Sequence, residues 1–458
     1  MKSSLGKNLK VTIWGGSHEP AIGVDIENLP KGTEIDMTEL EAFLKRRAPG
    51  NSPFATKRKE PDIPVPVSGL VPLGSVGHGK PVSRSESDTK SEQRTVSPPD
   101  TAPGAKCASG TTSTSEDKAN AASEGNPTSE ASTHIGANAA AKSQISTSDM
   151  TNEKRIAVKN AAPNRDHAKT IVADDVISLE IKNTDTRSSD YKALRAVPRP
   201  GHADYTARLR YGDSLNMAGG GPFSARMTAP LCIAGGIALQ ILARRGVSIG
   251  AHIYSIGSVK DTPFDPVNVT AELLQKLKQQ SFPVIADAAG KAMQDEILAA
   301  KAALDSVGGV VEVCALNVPA GIGGAMYDGL ESALAPVFFG IPAVKGVEFG
   351  AGFGATLLKG SENNDAFYYD NNQVKTRTNN HGGILGGITT GMPLTARLAF
   401  KPTPSIAAEQ DSVDLDNKTN TKLIIKGRHD PCVVVRAVPI AEAALALGIL
   451  DCMMEVQK

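Results

Sequence analysis

The stretch from about Ser75 to Thr170 constrains this chain most, because it interrupts two otherwise patterned regions with sequence that cannot build a core. Ser, Thr, Ala, Asn, Gly, Pro and charged residues dominate it, as in Ser109-Gly-Thr-Thr-Ser-Thr-Ser-Glu116 and Ala121-Ala-Ser-Glu-Gly-Asn-Pro-Thr-Ser-Glu130. Ordering the backbone costs about 1 to 2 kcal/mol per residue, and so few apolar side chains cannot offset that by burial. Residues 75–170 are therefore expected to be a disordered, low-complexity insertion, with 1–74 and 171–458 forming one core domain around it. Closing a long loop adds only about 0.6 kcal/mol per doubling of its length, so an insertion at a surface turn need not unfold that core. No fixed internal repeat is present, which excludes a solenoid.

The length of 458 residues would allow two or three domains, and 40% hydrophobic content supplies a substantial core. With 49 basic and 49 acidic residues the formal charge is zero, so any anion site must come from local clustering. Balanced charge and only 4% aromatic residues argue against a nucleic-acid-binding surface. The five cysteines, at 107, 232, 314, 432 and 452, form no CxxC pair and suit reduced thiols better than disulfides or a metal site. The first residues carry positive charges without a following apolar segment, so a cytoplasmic location is expected. The longest membrane-like run, Ala229 to Leu242, is short for a bilayer span of roughly 20 residues and reads as a buried helix.

Elsewhere the apolar pattern is regular. Lys10-Val-Thr-Ile-Trp14 and Val176 to Ile181 read as strands, and Gly309 to Leu316 as another. Helices are expected over Ser224 to Arg245, ended by Gly246, over Ala288 to Leu304, and over Pro439 to Leu450. Helices and strands mixed without regular alternation favour an α+β fold over a doubly wound parallel sheet.

The chemistry-bearing residues lie in loops. Gly15-Gly-Ser-His-Glu19 places His18 just after a strand, where an imidazole could move protons; on this segment alone a turn with a solvent-facing histidine is the commoner reading. Arg46-Arg-Ala-Pro-Gly50 and Lys57-Arg-Lys59 concentrate cations suited to phosphate or carboxylate, or to a solvated basic face. The Gly219-Gly-Gly221 and Gly382 to Gly387 runs permit close backbone approach to a ligand, as does tight helix-on-sheet packing. Lys401-Pro-Thr-Pro-Ser405 is a stiff loop fit to grip an anion or to turn a structural corner. Gly427-Arg-His-Asp-Pro-Cys432 pins three ionisable residues between Gly and Pro, with Asp430 as a candidate base and Arg428 as an anion anchor, or an Arg–Asp turn capping the next helix. Neither GxGxxG nor GxxxxGK[ST] occurs, which disfavours dinucleotide and nucleoside triphosphate folds.

Taken in order, Arg199-Pro-Gly-His-Ala-Asp-Tyr-Thr206, Gly340-Ile-Pro-Ala-Val-Lys-Gly-Val-Glu-Phe-Gly350, Gly382-Gly-Ile-Leu-Gly-Gly-Ile388, Lys401-Pro-Thr-Pro-Ser405 and Gly427-Arg-His-Asp-Pro-Cys432 resemble the signatures of the chorismate synthase family. The resemblance covers the whole chain except the Ser-rich tract. It implies a single core domain, a β-α-β sandwich with a central helical layer, usually assembled as a homotetramer. It also implies a lyase that converts 5-enolpyruvylshikimate 3-phosphate to chorismate and phosphate by anti-1,4 elimination, requiring reduced FMN with no net redox change. Reduced flavin would be supplied by an external reductant, since nothing resembles an added reductase domain.

Carried over by residue, the resemblance makes His18 a proton donor to reduced flavin and His202 an aid to the departing phosphate. Asp430 would help remove the ring proton, with Ser17 and Ser224 supporting these transfers. Arg47, Arg58 and Arg226 would anchor the substrate's phosphate or carboxylates, or NADP. Flavin contacts would come from Ser224, Ala343, Gly386, Lys401, Pro402, Thr403, Pro404, Ser405 and Arg428; no metal is implied. Five residues depart from the family at otherwise matched segments, namely Glu19, Pro222, Phe223, His381 and Pro53. They leave a second reading open, a non-catalytic flavin- or anion-binding homologue.

Overall fold

The computed structural model describes residues 2–50, 54, 60–74, 169–185, 195–425 and 430–456, all within one compact unit built from both sides of the Ser-rich tract. The expected insertion lies outside the described residues except at its end. There Lys169 and Thr170 belong to strand Lys169–Val172, which pairs with Glu34–Asp36 and Leu70–Pro72. The core thus resumes two residues earlier than expected, because Thr170 and Val172 are buried in that pairing.

Eight α-helices are present among the described residues: α1 (Met37–Arg47), α2 (Asp204–Tyr211), α3 (Thr228–Arg244), α4 (Ala271–Gln279), α5 (Asp287–Ala302), α6 (Leu330–Phe339), α7 (Gly360–Asn363) and α8 (Val434–Val456). Helix α1 shows why local sequence suffices for some of them. Asp36 caps it by accepting from the amides of Thr38 and Glu39 at 2.9 and 3.0 Å, and Met37, Leu40, Leu44 and Arg47 recur on one buried face. Pro49 follows, where the residue before a proline leaves the helical region.

Two five-stranded sheets carry the fold, and their strand pairs are all antiparallel. The first orders Lys2–Leu5, Lys10–Gly15, Ala21–Glu27, Val176–Lys182 and Val65–Ser68. The second orders Val259–Lys260, Ser248–Ile256, Gly309–Leu316, Leu394–Phe400 and Val344–Phe349. Helix α3 packs on the first sheet, α8 on the second, and the two helices on each other. Gly235 makes that last contact possible, since a Cβ there would stand 2.3 Å from the Cβ of Ala443. The mixed helix-and-sheet content expected from the pattern is what the structure has.

The helix boundaries differ from the sequence reading most at the starts of α3 and α8, while α8 also runs on to Val456, past the expected Leu450, and α5 stops at Ala302, short of Leu304. Ser224 to Met227 is a capped 3-10 turn rather than the first turn of α3, because the Ser224 hydroxyl accepts from the Arg226 amide. Helix α8 begins at Val434 and runs through Pro439, so that proline lies inside the second turn instead of opening the helix. Both α3 and α8 are apolar and long enough to meet a bilayer-spanning criterion, yet 83% and 89% of their most apolar windows are buried. They are apolar all round because they have protein on every side. The four described cysteines are free and buried.

A buried ionic network crosses the second sheet. His252 contacts Asp261 through Nδ1 at 3.1 Å and Glu312 through Nε2 at 2.9 Å, and Arg397 donates to Glu312 at 2.8 Å. Burial pushes the imidazole down from its ordinary 6.5, but its hydrogen bonds to Asp261 and Glu312 outweigh that and raise it. A group raised in the fold stabilises it fully below the unfolded value and loses that contribution as pH rises through the folded value. Thermal melting of the wild type is expected to fall on moving from neutral into alkaline buffer in a step that His252→Asn lacks. Identical pH profiles for the two proteins would show that His252 is neutral in the fold.

Candidate active site

The N-terminal ends of α3 and α8 converge on a cavity of about 290 Å³. Its walls bring together segments far apart in the chain: Arg47 at the end of α1, Arg199 and Gly201 to Ala203 before α2, Gly219 and Phe223 to Arg226 before α3, Ala343, Lys401 with Thr403 to Ser405, and Asp430, Val433 and Arg436 around the start of α8. Among the described residues the lining cations are Arg47, Arg199, Arg226, Lys401 and Arg436, against one lining carboxylate, Asp430. Helix N-termini and this excess of cations both favour a multiply charged anion.

Two carboxylates set behind the wall hold three of these cations, Arg47, Arg226 and Arg199, in place. Asp62 is 1% exposed and receives Arg47 on one oxygen and Arg226 on the other. Arg47 also donates to Thr228 at 3.1 Å, and Arg226 to Asn183 at 3.0 Å. Burial would raise the Asp62 carboxyl, but the two guanidiniums hold it below the usual carboxylate range. Its backbone is left-handed, φ 52°, a conformation costing an L residue about 1 to 2 kcal/mol, so the surroundings dictate its position. The second carboxylate, Asp204, takes a bidentate pair from Arg199 at 2.6 and 2.7 Å. Arg436 donates to Asp430 at 2.7 Å and to the Arg47 carbonyl at 3.0 Å.

The two histidines flank one glycine turn. Gly219, Gly220 and Gly221 all have positive φ. A Cβ on Gly219 would overlap the His18 ring at 2.1 Å, and one on Gly220 would lie 3.0 Å from His202 Nε2. The backbone approach foreseen from this run is thus to the two imidazoles, and Gly219 also faces the cavity. His202 lines the cavity, whereas His18 and the fully buried Ser17 stand beside Gly219 outside the lining.

Most of the remaining candidates gather here. Ser224, Ala343, Lys401, Thr403, Pro404, Ser405, Arg47, Arg226 and Asp430 all line the cavity. Lys401 donates to the Gly201 carbonyl at 2.8 Å, and burial together with Lys345 lowers its ammonium. Ala343 is left-handed, φ 78°, where its carbonyl accepts from the Lys401 amide at 3.0 Å. The Thr403 hydroxyl is buried without a hydrogen-bond partner among the described residues. Two candidates fall elsewhere: Pro402 packs against Gly308, and Gly386 sits in the turn of the hairpin Ile384–Leu385 and Ile388–Thr389. Arg58, Arg428 and Pro53 lie outside the described residues.

Of the departures among the described residues, Phe223 alone faces the cavity. Glu19 folds over Gly16, and His381 is held by Asp365 at 2.9 Å. Pro222 sits in the short helical turn before Ser224. Sequence reasoning gave no role to Asp62, Asp204 or Arg436. For Asp204 the signal was present, an acid two residues beyond His202 inside the same motif.

Removing Asp62 would leave two buried guanidiniums facing each other. Asp62→Ala is expected to cost roughly 3 to 5 kcal/mol, as for other broken buried pairs. Denaturant unfolding would read it, and a loss below about 1 kcal/mol would mean that the pair behaves as an exposed one.

Comparison with known proteins agrees with the gathered motifs. The family model described as chorismate synthase matches residues 9–98 and 169–454. A chorismate synthase of Lancefieldella parvula is 36% identical over 98% of this chain and 96% of its own length. One from Thermococcus gammatolerans is 36% identical over 97% of this chain and 96% of its own. A solved structure titled as the crystal structure of chorismate synthase shares the fold, with a TM-score of 0.61 at 20% identity over 98% of this chain and 93% of that one. The chain therefore belongs to the chorismate synthase family, lyases that form chorismate in the shikimate pathway of aromatic amino acid biosynthesis.

Proposed function

We propose that the cavity at the start of α3 and α8 is where this chain eliminates phosphate from 5-enolpyruvylshikimate 3-phosphate, with reduced FMN bound alongside the substrate. The observation that carries the reading is the lining itself: among the described residues, five cations against one carboxylate suit a substrate bearing a phosphate and two carboxylates. Arg47 and Arg226, held by Asp62, are positioned to take anionic groups without rearranging, which is how preorganised sites lower a barrier. In this reading they serve the substrate, and the NADP contact that the family resemblance also allowed is a second use of the same guanidiniums.

The residues present fit a flavin. The unpartnered Thr403 hydroxyl, the Pro-stiffened Lys401 to Ser405 loop and the strained backbone at Ala343 form one polar wall with Ser224. Reduced flavin would supply an electron-rich ring that lends negative charge to the substrate as phosphate leaves and recovers it afterwards. Arg428 would complete the flavin contacts, and Arg58 the anion contacts. His202 would donate a proton to the departing phosphate, Asp430 would help accept the ring proton, and His18, with Ser17, would keep the flavin in its required protonation state.

Around this site we read the α3 and α8 layer, held between two sheets, as a β-α-β sandwich. The side chains of Met326, Tyr327, Phe353, Leu357 and Tyr369 are highly exposed, and apolar surface of this kind supports assembly with further copies, in this reading a homotetramer. Gly386 in its hairpin would then contribute in the assembled enzyme rather than within one chain. The protein is read as cytoplasmic, acting on a small molecule, with reduced flavin from an external source and no nucleic-acid or membrane partner.

The test is chorismate and phosphate formation under anaerobic conditions from purified protein, chemically reduced FMN and 5-enolpyruvylshikimate 3-phosphate. Flavin-dependent turnover is expected, and folded protein without turnover would favour the binding-only homologue, with Phe223 the first residue to revert. His18→Ala and His202→Ala should each lower kcat by about 10²-fold or more; wild-type rates would remove their assignments. Residues 75–168 are read as an insertion, and deleting 85–160 should leave turnover intact. Failure of that deletion to fold would make the tract structural.

A further inference from the structure

The Asp204 carboxylate is the meeting point of more hydrogen bonds than a helix-opening residue needs. It is 8% exposed at the first position of α2. It accepts from Arg199 Nε at 2.6 Å, Arg199 Nη2 at 2.7 Å and the Arg199 backbone amide at 3.0 Å. Its Oδ1 also lies 2.9 Å from His202 Nδ1. Burial would raise this carboxyl, but hydrogen bonds from Arg199 and His202 hold it well below the usual carboxylate range, so it stays an anion.

That geometry favours hydrogen on one imidazole nitrogen over the other. A bare Nδ1 would aim its lone pair at a carboxylate oxygen 2.9 Å away, two acceptors in contact, whereas a protonated Nδ1 donates to it. Arg199 Nη2 also lies 3.1 Å from the same nitrogen and has a second N–H besides the one Asp204 takes at 2.7 Å, but the carboxylate is the nearer neighbour of Nδ1 and, as an anion, repels a bare lone pair there. Both donors therefore share Oδ1. Nε2 is left beside Gly220, on a ring that lines the cavity, and it makes no hydrogen bond among the described residues. Arg199 itself is anchored by donating to Ser405 Oγ at 3.1 Å, which ties the arrangement to the Lys401 to Ser405 loop.

We infer that Asp204 is a positioning residue for turnover: with Arg199 as its lock, it holds His202 with Nδ1–H toward the carboxylate and Nε2 toward the reacting phosphate. The inference rests on the proposed role of His202. In the step it serves, the ring enters protonated on both nitrogens, the Nε2 proton passes to a phosphate oxygen as the carbon–oxygen bond breaks and leaves the neutral Nδ1–H ring, and solvent later returns a proton to Nε2. Nδ1–H is present before and after, so the ring need not turn over between cycles. Asp204 itself lies outside the cavity lining and should not contribute to substrate affinity.

The test pairs kinetics with imidazole nitrogen NMR on the full chain labelled with 15N-histidine, His202 being assigned by its absence in His202→Gln. Where the His202 ring of the wild-type protein is neutral, its proton should sit on Nδ1. Asp204→Asn should shift that signature toward a mixture and lower kcat by about 10²-fold, with KM changed less than about 2-fold. Asp204→Glu should recover part of both. A wild-type signature protonated at Nε2 would overturn the inference even if no Asp204 variant folds. So would a folded Asp204→Asn enzyme with unchanged kcat, or one that loses only KM. Wild-type turnover in His202→Ala would instead sink the role assigned to His202, and the inference with it, while the nitrogen signature would still report the tautomer separately.

Discussion

Close approach of α3 and α8 is the constraint on which the rest depends. Gly235 faces Ala443 with no room for a side chain, and Gly236 leaves space for Leu40 of α1 in the same way. Each helix lies on its own sheet, so the distance between the helices sets the spacing of the two sheets. It also sets the separation of the two N-terminal ends, and hence the width of the cavity they line. A larger residue at Gly235 would act on the site without touching it, because packed interiors transmit displacement rather than absorb it.

The site is organised as charge behind charge. Cations face the cavity, and anions stand one layer back, with Asp62 behind Arg47 and Arg226 and Asp204 behind Arg199 and His202. A guanidinium free in solution would have to be oriented when an anion bound, with loss of side-chain entropy. Held by a buried carboxylate, it is oriented beforehand, and the low dielectric around it strengthens its attraction for the ligand. The arrangement also carries a structural cost, since each buried pair must recover its desolvation through good geometry. Bidentate Arg199–Asp204 and the double use of Asp62 are how this chain does so.

Several elements were legible because local chemistry alone specifies them. Strands Lys10–Gly15, Val176–Lys182 and Gly309–Leu316 lie within a residue of their expected bounds, as alternation and flanking glycines suffice for short sheet strands. Gly246 ends α3 with φ 83°, as expected. The start of α8 was misplaced because a proline reads as a helix opener, while Pro439 is carried inside a helix whose stability comes from tertiary burial. Ser224 was placed in a helix because its capping bond to the Arg226 amide cannot be told from a helical turn by pattern.

The loop motifs that identify the family, and the residue types that could serve acid–base and anion-binding roles, were set by sequence, because Gly, Pro and ionisable groups at fixed spacing are local properties. Which of them meet was decided by the tertiary structure. Lys401 reaches Gly201 and Arg199 reaches Ser405 across about two hundred residues, while Gly386 and Pro402 turn elsewhere. The acids that orient the site could not be ranked from sequence either. An aspartate's charge and partners depend on burial and on guanidiniums that only folding brings near.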